Sequence, residues 1–208
     1  MSFDLSWIAS ADIPLHELER RMGLKRTGRT CDELESECAS IRLSGGWGLV
    51  MANRADYLES LDLSSVSNGG CIITLALHDG IMISVADCWT DGEWTWHVEH
   101  DGQEYIEHIA AEGDVPVEFT EAKAHCERSL RDFVPVQAPA SPPQMPAAER
   151  AIFERMGMTV MPWSAPNQKV DFHFDIPIDL AARVVGFRHG RSQLYFELES
   201  ETMPIEEQ

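Results

Sequence analysis

A thiol, an imidazole and a carboxylate stand at Cys88, His97 and Glu99, on either side of Asp91-Gly92. Asp-Gly between β-rich runs is a strong hairpin signal, because both turn residues need positive φ. With a two-residue loop, Trp89 faces Trp94, Val85 faces Val98 and Ser84 faces Glu99. His97 then lies diagonally across from Cys88, about 7–8 Å away. The three side chains share one sheet face and could act as nucleophile, base and orienting group in a small cysteine-dependent hydrolase or transferase. The competing reading is an edge strand showing polar residues to water, with Cys88 as a small core residue. No strained nucleophile turn or oxyanion loop accompanies the trio. A bulge at the Asp-Gly would swap the faces and part the three.

Two further sets carry metal-ligand types. His97, Glu99 and His100 fail on geometry, because His100 points away from the other two in a strand. Asp171, His173 and Asp175 alternate onto one face of an expected strand over 170–175, with Phe172 and Phe174 on the other. That is a candidate site for a hard cation, and it is also the pattern of a half-buried edge strand. The cysteines at 31, 38, 71, 88 and 126 form no CxxC pair, so structural zinc has little support. A two-residue loop at Asp79-Gly80 puts Leu77 opposite Met82 and Cys71 opposite Cys88 at a non-hydrogen-bonded pair. Reduced thiols remain the expectation there.

Other motifs say less. Gly45-Gly46-Trp47-Gly48 is not a phosphate loop, since no lysine or helix start follows it. Phe187-Arg188-His189-Gly190-Arg191 reads as a cation cluster at a helix C-terminus. Lys25, Arg26 and Arg29 read as a basic loop held in intramolecular ion pairs. No cofactor is expected.

Charge is the most constraining property. The chain of 208 residues has a formal charge of −19, and the stretch from Ala55 to Ala122 holds fifteen Asp and Glu with no Lys or Arg. A folded anionic surface there would repel nucleic acid and attract cationic partners. Asp79, Asp91, Asp101 and Glu104 fall at the turns and strand ends of this stretch and are the expected binding residues. The N-terminus has neither a basic region nor a long apolar run, and no stretch matches a membrane span, so a cytoplasmic protein is expected.

The elements that must position these groups follow from pattern. Pro14 opens a helix that Gly23 ends, and Pro177 opens another that Gly186 ends. Thr120–Phe133 has a helical apolar stripe, and Trp47–Ala52 is a buried strand. Residues 62–68 read as a polar loop or a short turn of helix, and 105–110 as a strand or a short helix. Cys71–His100 forms a three-strand meander whose face of Ile81, Ile83, Val85, Trp89, Trp94, Trp96 and Val98 should enter the core. Prolines at 135, 139, 142, 143 and 146 mark 134–146 as an extended linker or crossing. It divides a main unit, 1–133, from a C-terminal segment, 147–208, with a short helix at 147–156 and a strand at 193–199 that should pack on the main sheet.

Three stretches, WGLVMANRADYL (47–58), WTDGEWTWHVEHDG (89–102) and DFHFDIPIDLAARVVGFRHG (171–190), resemble a group of small uncharacterised bacterial proteins with no assigned activity. The resemblance implies a bacterial origin and one unit reaching from the main part into the C-terminal part. It supplies no catalytic residue.

The fold expected is α+β, an antiparallel sheet of about five to seven strands flanked by three or four helices. The expected function is a non-enzymatic acidic binding protein that engages a basic protein partner, in the manner of an immunity protein or inhibitor. The alternatives are the Cys88–His97–Glu99 enzyme and acidity that serves only solubility.

Overall fold

A computed structural model describes residues 4–32, 35–133, 171–189 and 193–200. The chain divides into two compact units, Met1–Leu130 with Asp171–Gln208, and Arg131–Val170. The first holds the sheet. The proline-rich stretch 134–146 and the expected helix at 147–156 lie outside the described residues.

The strands are β1 (Asp4–Ser10), β2 (Leu24–Cys31), β3 (Cys38–Arg42), β4 (Gly48–Ala52), β5 (Cys71–His78), β6 (Ile83–Thr90), β7 (Glu93–Asp101), β8 (Ala110–Gly113) and β9 (Tyr195–Ser200). The helices are α1 (Leu15–Arg21), α2 (Leu63–Val66), α3 (Glu118–Asp132) and α4 (Asp175–Val185), with a 3₁₀ turn at Ala55–Ser60. One antiparallel sheet of nine strands runs in the order β2-β9-β3-β4-β1-β5-β6-β7-β8. The α+β class holds, and nine strands replace the expected five to seven.

The extra strands have physical reasons. β1 is central, and six of its seven residues are buried, so it shows no alternation to read. Its two buried serines donate to backbone carbonyls, Ser6 to Arg54 at 2.8 Å and Ser10 to Cys71 at 2.6 Å. β2 is the charged edge strand that reads as a basic loop, with a register irregularity between Arg26 and Thr30. Charge on an edge strand blocks further pairing. Its cations are held in ion pairs to Glu19, Glu197 and Glu199. β9, from the C-terminal segment, lies between β2 and β3.

Both sheet faces are covered in part. Leu5, Trp7, Leu49, Met51, Leu75, Leu77, Ala86, Trp96 and Val98 pack with Leu180, Ala181 and Val185 of α4 and with Ala122 and Cys126 of α3. On the opposite face Ile8, Val50 and Ile72 pack with Leu15 and Leu18 of α1 and with Tyr57 and Leu58 of the 3₁₀ turn. We call these the α4 face and the α1 face. α1 itself packs on β2, β3 and β4, so β6–β8 extend beyond it.

The expected strand over 170–175 is absent among the described residues. Residues 173–174 form a turn and Asp175 begins α4. The Asp171 carboxylate accepts from the backbone N–H of His173 at 3.1 Å and of Phe174 at 3.3 Å, which curls the chain into the helix instead of extending it.

Candidate functional site

The meander departs from its expected register at the first turn and again beyond the second. β5 and β6 are joined by a four-residue loop, 79–82, not by Asp79-Gly80 alone, so Leu77 faces Ser84, Ile73 faces Cys88 and Cys71 faces Thr90. This slip of two positions preserves the faces. The second turn is the two-residue loop expected, with positive φ at Asp91 (51°) and Gly92 (84°) and Trp89 opposite Trp94. Beyond Trp94 the ladder shifts, and Cys88 faces Trp96, with Thr95 as the inserted residue.

That bulge rearranges every candidate on β7. Trp96, Val98 and His100 turn to the α4 face with Ser84, Ala86 and Cys88, while His97 and Glu99 turn to the α1 face with Val85 and Asp87. The core therefore takes Trp96, Val98 and Cys88; Ile81 and Trp94 are exposed, at 39% and 41%. Cys88 does not meet His97 or Glu99, and the three do not form the expected nucleophile, base and orienter.

The residue that does meet His97 is Asp87, directly opposite it on β6. His97 donates from Nδ1 to Asp87 Oδ1 at 2.7 Å, and Glu99 Oε2 lies 3.5 Å from Nε2. The Asp87 hydrogen bond, against the cost of partial burial, holds the His97 imidazole above its ordinary value, and Glu99 adds to it. Glu112 of β8 completes the row Thr74, Asp87, His97, Glu112 across the strands. No local pattern marks Asp87 or Glu112 as members of this row, because the bulge decides which residues share it.

The expected binding residues Asp79, Asp101 and Glu104 gather at one end of this hairpin set, where Gly102 N–H bonds Met82 O at 2.8 Å and Gln103 Nε2 bonds Ile81 O at 2.9 Å. Asp91 sits in the turn at the other end. Asp101 Oδ1 caps Gln103 N–H at 2.8 Å, and Glu104 stands 3.4 Å from His108 Nε2. Asp56 and Glu121 are reached by Arg54 and Arg183, at 3.6 and 2.9 Å. Glu93, Glu112 and Asp114 are exposed and have no ion-pair partner among the described residues. The lysines and arginines that precede the stretch sit on α1, on β2, at the end of β3 and at Arg54, and among the described residues that follow it they sit on α3, on α4 and at Arg188. β5–β8 contribute none, so the α1 face of these strands and the loops between them are anionic among the described residues.

The expected cation ligands are engaged otherwise. Asp171 Oδ2 lies 2.9 Å from Nε2 of His100, which is fully buried. His100 Nδ1 lies 2.7 Å from the carbonyl of His108, so both ring nitrogens face oxygen acceptors. A carbonyl cannot donate, so Nδ1 donates to it. Together with Ser84 Oγ donating to Phe174 O at 2.8 Å, this pair pins the start of α4 to β6 and β7. His173 lines an open cleft of about 410 Å³ with Lys123, Cys126 and Glu127. Asp175, its carboxyl raised by burial, faces Arg188 at 3.4 Å. Among the described residues no group of three or more His, Cys, Asp and Glu side chains is placed to hold a metal ion. Arg188 of the expected cation cluster folds back 2.5 Å from buried Asp179, which also bonds His125; Gly190 and Arg191 lie outside the described residues.

No helix among the described residues is long and apolar enough to cross a membrane. No family model, curated protein or solved structure matches the chain.

Proposed function

We propose that the protein is a non-enzymatic acidic binding protein that engages a basic protein partner, in the manner of an immunity protein or inhibitor. One observation carries this reading: the stretch free of lysine and arginine supplies four adjacent strands of the sheet, and several of its exposed carboxylates lack a cationic neighbour among the described residues. Fifteen carboxylates placed along one stretch of chain set up a directional field, not a uniform one. Such a field speeds encounter with a cationic surface and weakens as salt screens it. Carboxylates already met by arginine would offer a partner little. Glu93, Glu112 and Asp114 keep their charge for it.

The test is affinity capture by the tagged full chain from cells of the source organism at low and high salt, repeated with a Glu93→Gln/Glu112→Gln/Asp114→Asn triple variant. A basic protein should be retained at low salt, released at high salt, and held less well by the triple variant. Retention of no basic protein at low salt, or equal retention by the variant, would sink the reading.

A further inference from the structure

Cys71 and Cys88 lie on the α4 face at diagonal positions of β5 and β6, and their sulfurs are 3.5 Å apart. We propose that this pair is a thiol–disulfide exchange site for low-molecular-weight disulfides, with Cys71 as the attacking thiol and Cys88 as the resolving one.

The two thiols are built differently. Cys71 is half-buried and Cys88 is 5% exposed, so a small disulfide in solution meets Cys71 first. The two sulfurs stand within hydrogen-bonding distance, and either can be the donor. That bond brings the Cys71 thiol down to about 7, against the effect of burial, while Cys88 is held far above the ordinary thiol value. A thiol that ionises near ambient pH is the best attacking group for exchange. The other three cysteines are buried. Burial pushes Cys38 up to about 11, and burial together with neighbouring carboxylates raises Cys126.

The reaction balances without any other reagent. The Cys71 thiolate attacks one sulfur of an external disulfide R–S–S–R, forming protein–S–S–R and expelling R–S⁻. The thiolate that held the Cys88 proton in place is then gone, and with it the largest cause of Cys88's raised value. Cys88 gives up its proton, which protonates the expelled R–S⁻. Its thiolate attacks the Cys71 sulfur and expels the second R–S⁻, which takes a proton from water. The two protein thiols are oxidised to one disulfide, and one external disulfide is reduced to two thiols. Closing the sulfurs from 3.5 Å to the bonded distance of about 2.05 Å moves the first residue of β5, directly after Gly69-Gly70, where the ladder has only begun.

The test uses the native full chain with glutathione disulfide, an acid quench, alkylation after unfolding and peptide mapping. The expected product has lost two hydrogens and carries a Cys71–Cys88 link, with Cys31, Cys38 and Cys126 recovered as thiols. A brief pulse of alkylating agent at neutral pH should modify Cys71 about tenfold faster than any of those three. In Cys88→Ala, or in Cys88→Ser should the alanine chain misfold, glutathione should stay on Cys71. In Cys71→Ala, Cys88 should remain a thiol. Glutathione persisting on Cys71 in the wild type, a link through any other cysteine, or no Cys71–Cys88 link in excess glutathione disulfide would overturn the proposal.

Discussion

His97 stands between Asp87, at 2.7 Å, and Glu99, at 3.5 Å, in a half-buried row of an otherwise anionic face. Its imidazole is raised above the ordinary value of 6.5 in the fold. A raised base stabilises the fold fully below its unfolded value, and that contribution fades as pH rises through the folded one. The melting temperature of the wild type should therefore exceed that of His97→Gln at pH below 6.5, with the gap narrowing on the alkaline side. A gap that is flat from acid to alkaline pH would mean His97 does not hold its proton on Asp87. Glu19 makes a second residue-scale case. It is 4% exposed, and it accepts from Arg26 at 2.9 Å and from Ser40 Oγ at 2.6 Å, tying α1 to β2 and β3. Arg26→Ala leaves that carboxylate buried without its cation and should cost about 2 kcal/mol. Glu19→Gln keeps an acceptor for both donors and should cost about 1 kcal/mol. Urea denaturation of the two variants gives the order directly.

Elements with an unambiguous local signal could be read from the chain. α1 starts after Pro14 and α4 stops at Gly186, where the Pro and Gly signals placed them, and α3 covers its apolar stripe. The turn at Asp91-Gly92 also formed as its dipeptide demanded. What could not be read was the single residue added after it. Trp94, Thr95 and Trp96 are all acceptable strand formers, so nothing local says which is inserted, yet that choice sends His97 and Glu99 away from Cys88. Asp87 escaped notice for the same reason, and β1 because burial on both faces erases alternation. β7's bulge also shapes the sheet edge. At Gly113, φ is 76° and an added Cβ would sit 2.2 Å from the backbone oxygen of Thr95, the inserted residue. Gly92 has φ of 84°, and an added Cβ there would meet the Ser64 hydroxyl at 3.2 Å and the Ser64 carbonyl oxygen at 3.3 Å, a far milder approach. Gly92→Ala should cost about 1–2 kcal/mol, chiefly for the left-handed backbone. Gly113→Ala should cost more and raise amide exchange across β8, since the strand must lift off β7 to make room. Equal losses in the two variants would contradict the close approach of Gly113 to the bulge.

At the scale of the molecule, charge and topology coincide. The sheet order places β2, β9, β3 and β4 on one side, where basic residues of β2 are met by Glu19, Glu197 and Glu199. It places β5–β8 on the other, and these four strands carry no lysine or arginine. The composition of the stretch was legible in the sequence. Its collection into adjacent strands was legible only as far as the meander, because β1 and the return of β9 between β2 and β3 are long-range pairings. The proposed function requires that the acidity be a localised docking surface and not a uniform solubilising coat. Titrating the isotope-labelled protein with a short oligolysine peptide at low salt, and following backbone amide shifts by NMR, tests it most directly. Shifts concentrated in residues 71–114 and abolished by added salt are the result expected; shifts of equal size on β2, β9 and β3 would contradict it.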